Sequence, residues 1–257
     1  MSYGIFSSVY DILTENVEYE RIANKICSLL HNNGVDGGLL LDLGCGTGTL
    51  SFLLEEQGFD VIGVDASEDM LMVANEKKYE ENSSALFLCQ KAEELDLFGT
   101  IDCAVSVLDT INHFYRMEWV AEAFAKVSLF MNMGGIFIFD INTPYKHEKI
   151  LGNNTFVYDT DQVYCVWQNS YDDKNAKTDI DLDFFIKNED DESFERYSES
   201  FSEYAYQPKD IFSMLEQCGF EILGTYDDYS DNGVNEETQR ITVVAKKIKT
   251  IFKEELK

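Results

Sequence analysis

Five apolar runs mark the first 141 residues: Leu39–Leu43, Val61–Val64, Ala85–Cys89, Ile101–Val107 and Ile136–Ile141. Continuous apolar runs bounded by glycine or polar residues suit parallel strands covered on both faces. Segments of helical period separate them. Behind a Ser67 cap, Glu68–Tyr79 carries Met70, Leu71 and Ala74 on one side, and Trp119–Met131 repeats that periodicity before Met133-Gly134-Gly135 turns the chain into the fifth run. Ahead of the first run, Tyr3, Phe6, Tyr10, Leu13 and Val17 recur at roughly helical spacing, and Glu18–Leu30 is amphipathic. Asn33-Gly34 and Gly37-Gly38 then break the chain. After Pro208, a helix over Lys209–Cys218 stops at Gly219, and strands Phe220–Tyr229 and Arg240–Lys246 join through Asp231-Asn232-Gly233 as an antiparallel edge hairpin. The alternation predicts an α/β fold.

Residues 155–206 break that alternation. Ile180, Leu182, Phe184 and Ile186 share one parity, while Asp179, Asp181 and Asp183 share the other. This period of two, with turns at 172–175 and 188–192, predicts an antiparallel sheet of three or four strands inserted after the fifth parallel strand. Between residues 151 and 207 there are 14 acids and 4 basic residues, so its outer face is acidic. Such a sheet can roof a site or join a homodimer. Tyr158, Trp167, Tyr171 and Tyr197 are candidates for a pocket wall or for a plain hydrophobic face. The expected organisation is a helical segment at 1–34, an α/β domain at 35–150 and 208–248, and an inserted sheet at 151–207.

The stretch LLLDLGCGTGTLSFLLEEQGFDVIGVDA, Leu39 to Ala66, carries the chemistry. Gly44, Gly46 and Gly48 at alternate positions allow a sharp turn and close approach of the backbone to a ligand. Asp65, 21 residues beyond Gly44, ends the second strand where an acid can accept hydrogen bonds from both ribose hydroxyls of a nucleoside. A dinucleotide site spaces its glycines G-x-G-x-x-G and sets a pyrophosphate on the helix N-terminus. Here the pattern is D-x-G-x-G-x-G. A carboxylate at Asp42 would repel a pyrophosphate and favour an ammonium or sulfonium cation. S-adenosylmethionine carries both cations and no phosphate.

At LDLGCGTG followed by VIGVDAS the chain resembles the class I S-adenosylmethionine-dependent methyltransferases, in particular bacterial small-molecule members. The resemblance spans essentially the whole chain. It implies a Rossmann-like, seven-stranded, mostly parallel sheet, with Asp42, Gly44, Cys45, Gly46, Gly48, Asp65 and Ala66 around the cofactor and Met70 touching the adenine. Tyr3, Phe6, Tyr10 and Asp11 match a family lid segment of the form Y-x-x-F-x-x-x-Y-D, which would exclude water from the reacting methyl group. Gln90 to Leu95 resembles the loop that clasps the adenine edge. Lys91 replaces the usual Asp there, which leaves Ala92 and Glu93 as the contacts. Leu108, Asp109 and Asn112 match an L-D-S-x-N-Y stretch at the acceptor edge, and M-G-G-I-F-I-F-D resembles the family's next strand. Asp109, Asn112, Tyr10 and His113, in falling order, are the candidates for aligning or deprotonating an acceptor.

Composition bears on partners. Against 20 Lys and Arg stand 48 acids, a formal net charge of −28. That disfavours a phosphate-backbone partner. It suits a solvated acidic surface, and leaves open attraction of a cationic amine substrate. The six cysteines form no C-x-x-C pair, the N-terminus lacks a signal-peptide pattern, and no apolar run approaches a membrane span. A reduced, cytoplasmic protein without a metal site is expected. The expected function is methyl transfer from S-adenosylmethionine to an amine or hydroxyl of a small molecule. The alternatives are a non-catalytic sensor or scaffold that holds the cofactor, an RNA methyltransferase, and lastly a dehydrogenase.

Overall fold

The computed structural model describes residues 4–188 and 193–251. Tyr3 and most of the turn expected at 188–192 lie outside the described residues. The chain runs α1 (Gly4–Leu13), α2 (Tyr19–Asn32), β1 (Gly38–Leu43), α3 (Thr49–Glu56), β2 (Phe59–Asp65), α4 (Glu68–Glu81), β3 (Leu86–Cys89) and β4 (Ile101–Ser106). It continues through α5 (Met117–Phe130), β5 (Met131–Asn142), the inserted strands β6 (Thr155–Asp159), β7 (Val163–Asp172), β8 (Lys177–Lys187) and β9 (Phe194–Tyr204), then α6 (Pro208–Gln217), β10 (Phe220–Asp227) and β11 (Arg240–Lys247).

One sheet has seven strands in the order β10-β11-β5-β4-β1-β2-β3. Its first five strands in chain order pair parallel, and β11 is antiparallel to both neighbours, as the hairpin signal predicts. The runs in β1, β2, β4 and β5 are mostly buried on both faces, whereas the third run departs from that expectation because β3 is an edge strand, with Leu86 and Cys89 exposed. Leu40, Val61, Val105 and Ile138 pack with α2 and α3, whereas Leu41, Val64, Ala104 and Phe139 pack with α5 and α6. Burying a Leu or Phe side chain is worth about 1.5–3 kcal/mol, so these two layers hold the strand ends that frame the site. One expectation needs correction: Met133-Gly134-Gly135 is no turn. It lies inside β5, where Gly134 takes φ +83° and the β4–β5 register shifts between Ile101 and Cys103. The reason is close approach, since a Cβ on Gly135 would lie 2.7 Å from the Asp102 carbonyl oxygen.

The inserted segment is a separate four-stranded antiparallel meander, β6-β7-β8-β9. Its apolar parity holds: Ile180, Leu182 and Phe184 are buried with Val163 and Cys165, and Phe6 and Val9 of α1 pack on that face. Phe6 stacks on Phe184 and Phe201 with ring centroids 5.6 and 6.3 Å apart, and its backbone N–H donates to Glu199 at 2.9 Å. At the other end of α1, Asp11 accepts from Thr47 Oγ1 at 2.6 Å and pairs with Lys77 at 3.0 Å. Helix α1 thus ties the meander to the segment that follows β1.

Candidate active site

The parallel strands β1, β2, β4 and β5 all end on one sheet edge, where open α/β folds bind ligands. A cavity of about 630 Å³ lies there, lined by that edge, by α1 and by the meander. At one end the chain leaves β1 through a glycine turn. Gly44 and Gly46 adopt φ +80° and +54°, and a Cβ on Gly44 would meet Thr110 at 2.4 Å. Only glycine fits both the backbone and the space. The turn is pinned by Asp65, whose carboxylate accepts from Gly46 N–H at 2.9 Å and Ser67 N–H at 2.8 Å. Asp42 is 1 % exposed and accepts from Ser51 Oγ at 2.6 Å. Burial pushes its pKa up to about 7, with Asp65 adding repulsion. A cation brought beside Asp42 would restore its charge. Two carboxyl groups beside the turn fit the ribose and ammonium of S-adenosylmethionine better than a pyrophosphate.

The other end of the cavity is polar within aromatic walls. After β4, Leu108 and Asp109 take left-handed φ values of 53° and 63°, a conformation costly for residues with a Cβ. Asp140, near the end of β5, holds both: its carboxylate accepts from Leu108 N–H at 2.7 Å and from Asp109 N–H at 2.8 Å, and Tyr229 Oη donates to it as well. Arg240 reaches Asp109 at 3.4 Å and Asp140 at 3.8 Å. Glu203, on β9, is 2 % exposed and accepts from Asn142 Nδ2 at 3.1 Å. Its carboxyl lies within 4.8 Å of that of Asp109, and burial, reinforced by Asp109, pushes its pKa up to about 8. One ligand atom each of Asp109, His113 and Glu203 lie within 4.8 Å of one another. His113 packs on Phe201, its Nδ1 is buried without a partner, and burial lowers its pKa. A single π turn, Lys146–Leu151, brings Lys146 Nζ to Asn142 Oδ1 at 2.9 Å, and burial lowers that amine's pKa.

Most residues singled out from the sequence converge on this cavity. Tyr10, Asp42, Gly44, Cys45 and Gly46 line it, followed by Asp65, Ala66 and Met70. Ala92, Glu93, Leu108, Asp109 and His113 line it too, and so does Lys91. Gly48 does not; it caps α3 behind the turn, where a Cβ would lie 2.9 Å from the Phe87 ring. Asn112 is also set apart. It is fully buried, its Nδ2 donates to the carbonyls of Asn142 and Tyr204, and its Oδ1 accepts from Asn142 N–H at 2.8 Å. Of the four aromatic residues flagged in the inserted sheet, Tyr158 and Trp167 face the cavity, whereas Tyr171 and Tyr197 are absent from its lining. Lys146, Glu203 and Arg240 were missed. Glu203 did leave a signal, an acid on the strand parity of Tyr197 and Phe201. Arg240 is at the site because β11 runs antiparallel, so its first residue faces Asn142, the last of β5.

Residues 40–135 match a family described as "Methyltransferase domain". The chain is 31% identical over 252 residues to "Putative methyltransferase YqeM" of Bacillus subtilis (strain 168), covering 98% of this chain and 99% of that one. Among solved structures, an S-adenosylmethionine-dependent methyltransferase from Clostridium acetobutylicum ATCC 824 superposes with a TM-score of 0.85 at 32% identity, over 95% of this chain and 98% of the other. The sugar N-methyltransferase KedS8 from Streptoalloteichus sp ATCC 53650 shares the fold, with a TM-score of 0.74 at 17% identity over 91% and 92% of the two chains. Near-complete alignment with such relatives, on a chain whose glycine turn and paired acids suit an adenosyl sulfonium, establishes this protein as a member of the S-adenosylmethionine-dependent methyltransferases.

Proposed function

We propose that the enzyme methylates an amine or hydroxyl of a small molecule by in-line transfer. The observation that carries this reading is the single cavity that joins the Gly44–Gly46 turn to Asp109 and Glu203. S-adenosylmethionine supplies a methyl group already activated by its sulfonium. The remaining task for the chain is to align a nucleophile about 3 Å from that carbon and exclude water. Asp65 would hold the ribose, Asp42 the ammonium, and Ala92 with Glu93 the adenine edge. Residues 1–34 would act as the lid and residues 151–207 as the roof, because α1 seals the donor side while packing on the meander. The sugar N-methyltransferase KedS8 and the amino pentose methyltransferase CalS10, which share the fold, are compatible with a small acceptor. The acidic surface and free cysteines suit a cytoplasmic enzyme without a nucleic-acid partner.

The test is incubation with labelled S-adenosylmethionine and fractionated cell metabolites. Steady formation of S-adenosylhomocysteine with label in a small product is expected. Tight cofactor binding with no turnover in any fraction would reverse the assignment to a sensor.

A further inference from the structure

The acceptor end of the cavity has a charge balance that selects its ligand. Glu203 meets Asp109 from the segment after β4, His113 from the following turn, and Lys146 and His147 from the π turn, while Arg240 of β11 pairs with Asp109. Asp140 lies behind them. Burial keeps both histidines neutral at pH 7, His147 with a pKa lowered to about 4. Three carboxyls therefore face two cations. A proton held on Glu203 leaves the cluster neutral, and its loss leaves one negative charge in a buried place. Phe201 packs against His113 of this cluster, and Trp167 and Tyr158 line the same cavity. A carboxyl pair within aromatic walls is the environment that recognises a monovalent organic cation. A divalent metal ion would leave excess positive charge beside Lys146 and Arg240. A neutral alcohol would supply none.

We propose that Glu203 and Asp109 together bind the acceptor and take its proton, and that the acceptor is therefore an alkylammonium, a primary or secondary amine on a small apolar or ring scaffold. This deepens the small-molecule reading above and rests on it. Binding of the ammonium displaces the Glu203 proton to solvent. The ammonium then passes one proton to the pair, the freed nitrogen lone pair forms the N–C bond as the methyl C–S bond breaks, and the bonding electrons stay on sulfur. The product leaves as the N-methylated ammonium, and the pair keeps its proton.

The test uses the full chain saturated with S-adenosylmethionine, with benzylamine hydrochloride and benzyl alcohol as probes at millimolar concentration. Titration calorimetry at pH 7, repeated in buffers of different ionisation enthalpy, should show benzylammonium binding with release of close to one proton, and much weaker binding of the alcohol. Glu203→Gln and Asp109→Asn should each weaken benzylammonium at least about tenfold, the scale of one lost charge partner, and abolish the proton release. S-adenosylmethionine affinity should stay within about twofold in both variants. Thermal melts identify a variant that fails to fold, in which case the other variant decides. The proposal is overturned by absent saturable benzylammonium binding, by equal binding of the alcohol, by unchanged binding in both variants, or by binding that EDTA removes and Mg²⁺ restores. Failure of the wild-type protein to bind S-adenosylmethionine would instead overturn the methyltransferase reading beneath it.

Discussion

The two ends of the cavity are built in opposite ways. The core of the donor end comes from one uninterrupted stretch, Asp42 to Met70, in which a strand, a glycine turn, a helix and a second strand fix their own geometry through bonds such as Gly46 N–H to the Asp65 carboxylate. The acceptor end is assembled from single residues separated by tens of positions: Asp109, Lys146, Glu203 and Arg240. Only the tertiary fold brings them together: Asn142 holds both Lys146 and Glu203, and Arg240 pairs with Asp109. Local substitutions at the donor end should therefore show first in cofactor affinity. The acceptor end should couple stability, acceptor binding and pH.

The largest expected effect tests the donor end. Asp65→Ala removes the proposed ribose acceptor and also the tether of the glycine turn, charge-assisted bonds worth about 1.5–3 kcal/mol apiece. S-adenosylmethionine affinity by calorimetry should fall about 100-fold or more. Unchanged affinity would show that the ribose lies elsewhere.

Next comes a residue that belongs to neither wall. Asn112→Ala would leave the Asn142 N–H and two carbonyls without their partner in a fully buried place, at a cost of about 1–3 kcal/mol in denaturant unfolding. Because Tyr204 follows Glu203 and Asn142 donates to Glu203, turnover should drop as well, while cofactor affinity should hold. Loss of cofactor affinity with intact stability would give Asn112 a direct site role instead of a positioning one.

That contrast explains what the sequence could tell. The donor end was legible because Asp42, the glycines and Asp65 stand in a local register that backbone geometry alone interprets. The sheet was legible because apolar runs and parity need no partner to be seen, and the meander showed itself through Asp179, Asp181 and Asp183 alternating with Ile180 and Leu182. Lys146 and Arg240 were not legible. A lysine after a strand and an arginine opening one carry no local mark, and their roles follow from a π turn and an antiparallel β11. Asn112 was legible in place but not in direction, because an apt residue at the right edge can point either into the cavity or, as here, to backbone groups.

A pH experiment separates the two ends on a common scale. Asp42 and Glu203 have folded pKa values raised by burial to about 7 and about 8. The ligand-free fold thus binds protons that the unfolded chain has lost. Both groups contribute stability that is present below the unfolded carboxyl range and is lost as pH rises through 7 and 8. The melting temperature of the free protein should fall over that window, and Asp42→Asn and Glu203→Gln should each flatten part of it. S-adenosylmethionine should flatten the Asp42 part, since its ammonium favours the ionised acid, and should leave the Glu203 part in place. Equal flattening of both parts by the donor would mean that the two ends titrate as one unit.

The smallest expected effect concerns the helix that spans both ends. Asp11 joins α1 to Thr47 and Lys77, and its ion pair is only partly buried, so it should add no more than about 1 kcal/mol. Glu199, by contrast, holds Phe6 N–H on the meander side. Asp11→Asn should quicken S-adenosylmethionine release in stopped-flow a few-fold at most and leave acceptor binding alone, whereas Glu199→Gln should loosen the acceptor side first. If both substitutions changed donor release equally, α1 would move as one rigid lid and the two ends would open together. If only Asp11→Asn did, the lid is hinged, and the donor can exchange while the roof over the acceptor stays shut.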